Sequence, residues 1–185
     1  ICPMPYALCH MPYALCYMPF MLSHMLWRVV VITFILDQLS KFYICRGLSL
    51  GQSIPVLKNI FHLSLVYNTG SVFGLFRGKN SLFIILSLGI ISFILLDYFL
   101  NKHSYTLKRR LAFGLILGGA LGNLLDRLRL GYIIDFLDFR VWPVFNLADS
   151  AITVGVILLG IELLLQGKRR NDTLENNQTP IINNQ

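Results

Sequence analysis

The sequence predicts an all-α membrane protein, a bundle of four transmembrane helices. Three observations predict it. First, 55% of the 185 residues are hydrophobic and the mean hydropathy is +0.63, far above what a water-facing surface allows. Second, charged residues make up only 14% of the chain, and they are clustered. Third, four separate stretches approach the roughly 20 apolar residues that a spanning helix requires. They run over about 26–44, 82–100, 111–128 and 147–166.

The chain begins with a peculiar segment. Residues 4–9 and 11–16 both read MPYALC. The period is seven, but Pro5 and Pro12 rule out a coiled coil. The segment opens on Ile1 and lacks the basic region of a signal peptide. Residues 1–24 are therefore read as an atypical extension, disordered or interfacial, with a functional start nearer Met21 or Met25. A genuine hydrophobic interfacial tail is the other reading.

Between the first two apolar runs, residues 45–80 are too long for a simple hairpin. Phe61, Leu63, Leu65 and Tyr67 alternate with His62, Ser64 and Val66. That period of two predicts a strand lying on the membrane surface, framed by Pro55 and the Asn68-Thr69-Gly70 turn. After the last run, residues 168–185 are polar and Asn-rich and are expected to form a disordered cytoplasmic tail.

Charge sets the orientation. The 101–110 loop holds Lys102, Lys108, Arg109 and Arg110, and Lys168, Arg169 and Arg170 follow the fourth run. The positive-inside rule puts both termini and the 101–110 loop in the cytoplasm. Segments 45–80 and 130–146 then face outward, although Arg46, Lys58, Arg77 and Lys79 run against the rule. The same placement explains the net charge of +7 as headgroup anchoring. No folded basic domain exists to bind nucleic acid. The four cysteines, Cys2, Cys9, Cys16 and Cys45, form no CxxC and no His/Cys cluster, so neither a metal site nor a cofactor is expected.

Polar residues inside the apolar runs need a partner or a function, because an ionisable group at mid-bilayer costs roughly 2.5–3.5 kcal/mol. Asp37 and Lys41 are four apart in the first run, either an internal ion pair or support for a site. In the third run, Gly114, Gly118 and Gly122 recur every four residues, and Gly119, Asn123 and Arg127 form the adjoining stripe. Small residues at this spacing admit close helix approach. Spacing alone reads Asn123 as interhelical glue and Arg127 as an interfacial anchor. Asp135 lies in an aromatic outer loop, with Asp138 one turn further on if that loop is helical. Asp149 opens the fourth run three residues after Asn146, where a capping box would suffice.

Singly, each acid has a structural explanation. Together, Asp135 and Asp149 fall near the same membrane face. Two carboxylates held close titrate apart, by about three units in aspartic proteases. One then serves as base on a water while the other donates a proton to the scissile carbonyl. No HExxH occurs. A Ser40–Lys41 nucleophile pair is conceivable, though adjacent residues of one helix point different ways. A proton-coupled carrier would need polar groups through the full depth, yet the second and fourth runs offer only Asp97 and Glu162 near their inner ends. A purely structural scaffold leaves the clustered outer acids unexplained.

Over about residues 30–165 the sequence resembles the lipoprotein signal peptidase (signal peptidase II) family. The resemblance rests on ordered blocks: DQLSK at 37–41, YNTG at 67–70 with Phe73, GGALGNLLDR at 118–127, Gly131 with Asp135-Phe136, and FNLADS at 145–150. It implies four transmembrane helices over 25–167, a small extracytoplasmic β-sheet and an outer loop near the active site. It also implies an aspartic endopeptidase that removes signal peptides from prolipoproteins just before a lipid-modified cysteine. Asp135 and Asp149 match the catalytic aspartates. Asn123, Arg127 and Asn146 match supporting positions, and Asp37, Lys41, Asn68 and Gly70 match other functional ones. The implied partners are prolipoproteins with a diacylglyceryl-modified cysteine and membrane lipids, with the chain acting as a monomer. The implied location is a bacterial inner membrane, with the active site near the periplasmic face. Val72 departs from the Ala usual in the family and could narrow a substrate groove; the repeat at 4–16 has no family counterpart.

Overall fold

A computed structural model of the chain describes residues 13–70, 80–101 and 105–178. Four helices and a three-stranded sheet follow in the order α1 (Tyr13–Gly47), β1 (Ser53–Leu57), β2 (Phe61–Asn68), α2 (Asn80–Asn101), α3 (Leu107–Leu130), β3 (Ile133–Asp138) and α4 (Leu147–Gln178). Asn80 at the start of α2 donates to the Arg127 carbonyl near the end of α3, and the Ala148 amide at the start of α4 donates to Asp37 of α1. The C-termini of α1 and α3 and the N-termini of α2 and α4 therefore meet at the end that carries the sheet.

Among the described residues, three helical stretches, Asn80–Asn101, Leu107–Leu130 and Leu147–Lys168, are long and apolar enough to cross a membrane. The 35-residue α1 is not among them. Its apolar run is interrupted by Arg28, Asp37, Lys41 and Arg46. α1 also starts at Tyr13, within the segment expected to be a separate extension, immediately after Pro12. At the other end α4 continues to Gln178, past the position where a disordered tail was expected; no proline interrupts the chain until Pro180.

α3 is the central element. Of its spanning window 67% is buried, against 17% for α2 and for α4. Its hydropathy is correspondingly the lowest of the three, 1.4 against 2.4 and 2.0, because it faces protein rather than lipid. Glycines make that position possible. A Cβ on Gly114 or Gly118 would stand 2.7 Å from Val29 or Thr33 of α1, and one on Gly119 would stand 2.5 Å from the Ala148 carbonyl oxygen of α4. Leu26, Val30, Ile94, Tyr98, Phe113, Ile116 and Leu117 fill the apolar interior between these contacts.

The sheet has the order β1-β2-β3 and both pairings are antiparallel. Pro55 is accommodated because β1 is an edge strand. The alternation over Phe61–Tyr67 does form a strand, β2. Its most buried polar residues are His62 and Ser64, which face Ser53 and Asp138 rather than solvent. The segment containing Asp135 and Asp138 is also a strand, not a helical turn. Three positions apart on a strand means opposite faces, so the two acids diverge.

At the far end, polar groups tie the helices together. Arg109 pairs with Asp97 at 2.8 Å, Tyr105 donates to the same carboxylate, and Thr106 donates to Glu162 at 2.7 Å. The two acids that a carrier reading would recruit thus belong to this local network.

Candidate active site

The site is assembled where β3 meets the start of α4. Asn146 is the N-cap of α4. Its side-chain oxygen accepts from the Asp149 amide at 2.9 Å, and its own amide donates to Asp149 Oδ2 at 3.3 Å. The capping box inferred from spacing is therefore real, and it fixes the Asp149 side chain at the helix mouth. Its other oxygen, Oδ1, accepts from Asn123 Nδ2 of α3 at 2.8 Å.

Asp135 reaches the same place from the sheet. It is 2% exposed. Oδ2 accepts from Asn68 Nδ2 at 2.9 Å and Oδ1 from Asn146 Nδ2 at 2.7 Å. The register that pairs Val66 with Asp135 and Asn68 with Ile133 brings Asn68 within reach. Asn68 is itself fixed by a turn in which Gly70 N–H donates to its Oδ1 at 3.1 Å. Three carboxamides therefore hold two carboxylates. Asn146 serves both acids, and its Nδ2 also donates to Asn123 Oδ1 at 3.1 Å.

Burial, followed by the nearby Asp149 charge, pushes the Asp135 carboxyl up to about 6, against the opposing hydrogen bonds from Asn68 and Asn146. Asp138, on the other face of the strand, behaves oppositely. Burial pushes it up, but the Ser64 hydroxyl, the Arg140 backbone N–H and the Arg140 charge outweigh that and hold it below the ordinary value. Of the two strand acids, only Asp135 shares its surroundings with a second carboxylate.

Asp135 and Asp149 line one cleft of about 1090 Å³, together with Asn68, Gly70, Asn123 and Arg127. The rest of its wall is apolar: Phe83 and Ile90 of α2, Ile116 of α3 and Val156 of α4 contribute. The cleft thus combines a polar end with a long apolar flank. The Arg127 guanidinium lies over the Phe83 ring at 4.7 Å and interacts electrostatically with Asp149 and Asp135.

Asp37 and Lys41 do not line the cleft. They lie behind it, both essentially inaccessible. Lys41 Nζ contacts Asp37 Oδ2 at 2.7 Å and Asp126 Oδ2 at 2.8 Å, and donates to Asn123 Oδ1 at 3.1 Å. Asp37 Oδ1 accepts from the Ala148 amide at 3.0 Å. It thereby satisfies one of the free N–H groups at the start of α4. Gly122 leaves the space: a Cβ there would be 2.5 Å from Asp37 Oδ2. The α1 ion pair is therefore both self-compensating and connected to the residues around the dyad. Ser40 instead donates to the Asp37 carbonyl at 2.7 Å. Lys41 is committed to two acids, which removes a Ser40–Lys41 nucleophile.

Two members of this layer escaped sequence reasoning. Asp126 completes the Lys41 pairing, and Gln38 donates to Asp126 Oδ1 at 3.2 Å and to the Gly122 carbonyl at 3.3 Å. The signal for Asp126 was present: it lies four residues after Gly122, on the face whose spacing admits close helix approach. Val72 lies outside the described residues.

The family model for signal peptidase (SPase) II matches residues 29–165. A lipoprotein signal peptidase of Halothermothrix orenii is 46% identical over 144 residues, covering 78% of this chain and 98% of that one. Its counterpart in Nostoc punctiforme is 45% identical over 137 residues, covering 73% and 86%. Among solved structures, a bacterial membrane enzyme at 32% identity superposes with a TM-score of 0.72, covering 78% of this chain and 90% of that one. A second, at 33% identity, gives 0.68 over 75% and 92%. A helical bundle with membrane-spanning stretches, a family match over most of its length and these relatives place the chain in the signal peptidase II family of membrane-embedded aspartic-type peptidases.

Proposed function

We propose that the chain cleaves prolipoproteins at the amide bond before a diacylglyceryl-modified cysteine, with Asp135 and Asp149 as the catalytic pair. The observation that carries this reading is the convergence of both carboxylates on one cleft, each oriented by carboxamides. With Asp135 pushed up to about 6 by burial and by Asp149, one proton is shared between the acids around pH 6. The ionised carboxylate takes a proton from water as the water attacks the scissile carbonyl. The protonated one donates to the developing oxyanion, and the proton then passes to the leaving amine. No metal takes part.

Asn123, Asn146 and Asn68 hold the pair, Arg127 offsets its charge, Gly70 borders the cleft, and Asp37 with Lys41 anchors α4 and Asn123 from behind. The apolar flank suits a diacylglyceryl group and part of a signal helix. In this reading all four helices, α1 included, span a bacterial inner membrane. The sheet end faces outward and both termini are cytoplasmic, so a substrate anchored in the outer leaflet meets the dyad where water also has access.

The test is cleavage of a lipidated prolipoprotein by reconstituted protein. Asp135→Asn and Asp149→Asn are each expected to abolish cleavage while membrane insertion is retained, and a chelator to leave the wild type unaffected. Wild-type cleavage by either variant would sink the proposal.

A further inference from the structure

A second groove, of about 580 Å³, lies between α1 and α3 and shares no lining residue with the dyad cleft. Its walls are apolar and open sideways: Leu39 and Phe42 of α1 and Leu130 of α3 are all exposed. At the sheet end the groove is bordered by two arginines, Arg46 in the last turn of α1 and Arg129 in the last turn of α3.

Cations in a last helical turn are favoured by the helix dipole alone, so their presence is not by itself a site. Their arrangement goes further. Both arginines border the same groove, and neither has an ion-pair partner among the described residues, whereas Arg109 and Arg140 each have one. The acid in the groove, Asp126, is buried and paired with Lys41 at 2.8 Å. The Arg46 guanidinium lies over the Phe42 ring at 4.2 Å, which restrains it beside the apolar wall. Two unpaired guanidiniums above an acyl-sized apolar channel match a phosphate bearing a hydrocarbon chain.

We propose that this groove binds an anionic glycerophospholipid, its phosphate between Arg46 and Arg129 and one acyl chain along Leu39 and Phe42. The substrate's reacting bond must reach the other cleft, on a different face of α3, so this ligand is a bilayer lipid rather than the substrate.

Cys45 is exposed and lines the same groove, which supplies a reporter. The full chain, with Cys2, Cys9 and Cys16 replaced by serine, is labelled at Cys45 with an environment-sensitive fluorophore. It is then reconstituted into phosphatidylcholine vesicles containing equal fractions of brominated phosphatidylglycerol or brominated phosphatidylcholine. The anionic lipid is expected to quench about threefold more strongly or better. Arg46→Gln with Arg129→Gln should remove that preference and leave quenching by phosphatidylcholine unchanged, which also reports that the fold is intact. Arg46→Lys with Arg129→Lys should retain part of it. Equal quenching by the two lipids would overturn the proposal, as would a preference that survives loss of both charges. Shielding of Cys45 that grows with protein density rather than with phosphatidylglycerol would assign the groove to a second copy of the chain instead.

Discussion

Asn146 and Asp149 cap each other at the start of α4: the Asp149 amide donates to Asn146 Oδ1 at 2.9 Å, and the Asn146 amide donates to Asp149 Oδ2 at 3.3 Å. The same Asn146 side chain donates from Nδ2 to Asp135 at 2.7 Å. One residue thus starts a helix and joins two acids. The two roles use different atoms and can be separated.

Asn146→Asp keeps an acceptor for the helix cap but replaces the Nδ2 donor with an oxygen facing Asp135. It is expected to unfold within a few degrees of the wild type, while losing about 10²-fold or more in kcat. Asn146→Ala loses both functions and should cost a further ~1 kcal/mol of stability. Thermal unfolding in detergent, set beside cleavage rates, distinguishes them.

Asp135 titrates at about 6 because of burial and the Asp149 charge. Its protonated carboxyl should therefore give an infrared band that disappears with a midpoint near pH 6 and is missing in Asp135→Asn. In Asp149→Asn the charge is gone, burial remains, and the midpoint should move down. A raised acid binds its proton more tightly in the folded state, so this group's contribution to stability falls as pH rises from the ordinary 3.8 to about 6. A midpoint unaffected by Asp149→Asn would show that the two acids do not interact.

The glycines of α3 make a graded prediction. Gly119→Ala would press a methyl against the Ala148 carbonyl, and Gly122→Ala would press one against the Asp37 carboxylate, each at 2.5 Å. Both are expected to destabilise by about 1–3 kcal/mol. Gly119→Ala should be the worse, because backbone yields less than a side chain. A Cβ on Gly160 would meet nothing within 4 Å, so Gly160→Ala should be neutral or slightly stabilising. Thermal midpoints of the three variants check the order.

Lys41→Met leaves Asp37 and Asp126 buried without their cation. The expected loss is about 3–5 kcal/mol, measured by chemical or thermal unfolding. Adding Asp126→Asn should recover part of it, since one uncompensated charge then disappears.

The α2, α3 and α4 spans were readable because about twenty apolar residues in a row have few other structures open to them. β2 was readable from its alternation. β3 was not: in Tyr132 to Phe139 the apolar residues keep neither a period of two nor one of 3.6, and four consecutive positions, Ile133 to Phe136, are buried. A strand pressed between a helix and another strand loses the alternation that would announce it. Asp135 and Asp149 could be nominated from topology, but their pairing came from resemblance. Asn146 bridges elements that no local pattern connects. Asp126 was hidden by its neighbour Arg127, whose position in the motif drew the functional reading.

Asp37 accepts from the Ala148 amide, 111 residues away in sequence. A ribosome makes α1 first and α4 last. The carboxylate that completes the start of the final helix is thus already in place before that helix exists, held by Lys41 only four residues along its own helix. Until the last segment arrives, the first carries an acceptor whose amide partner has yet to be made.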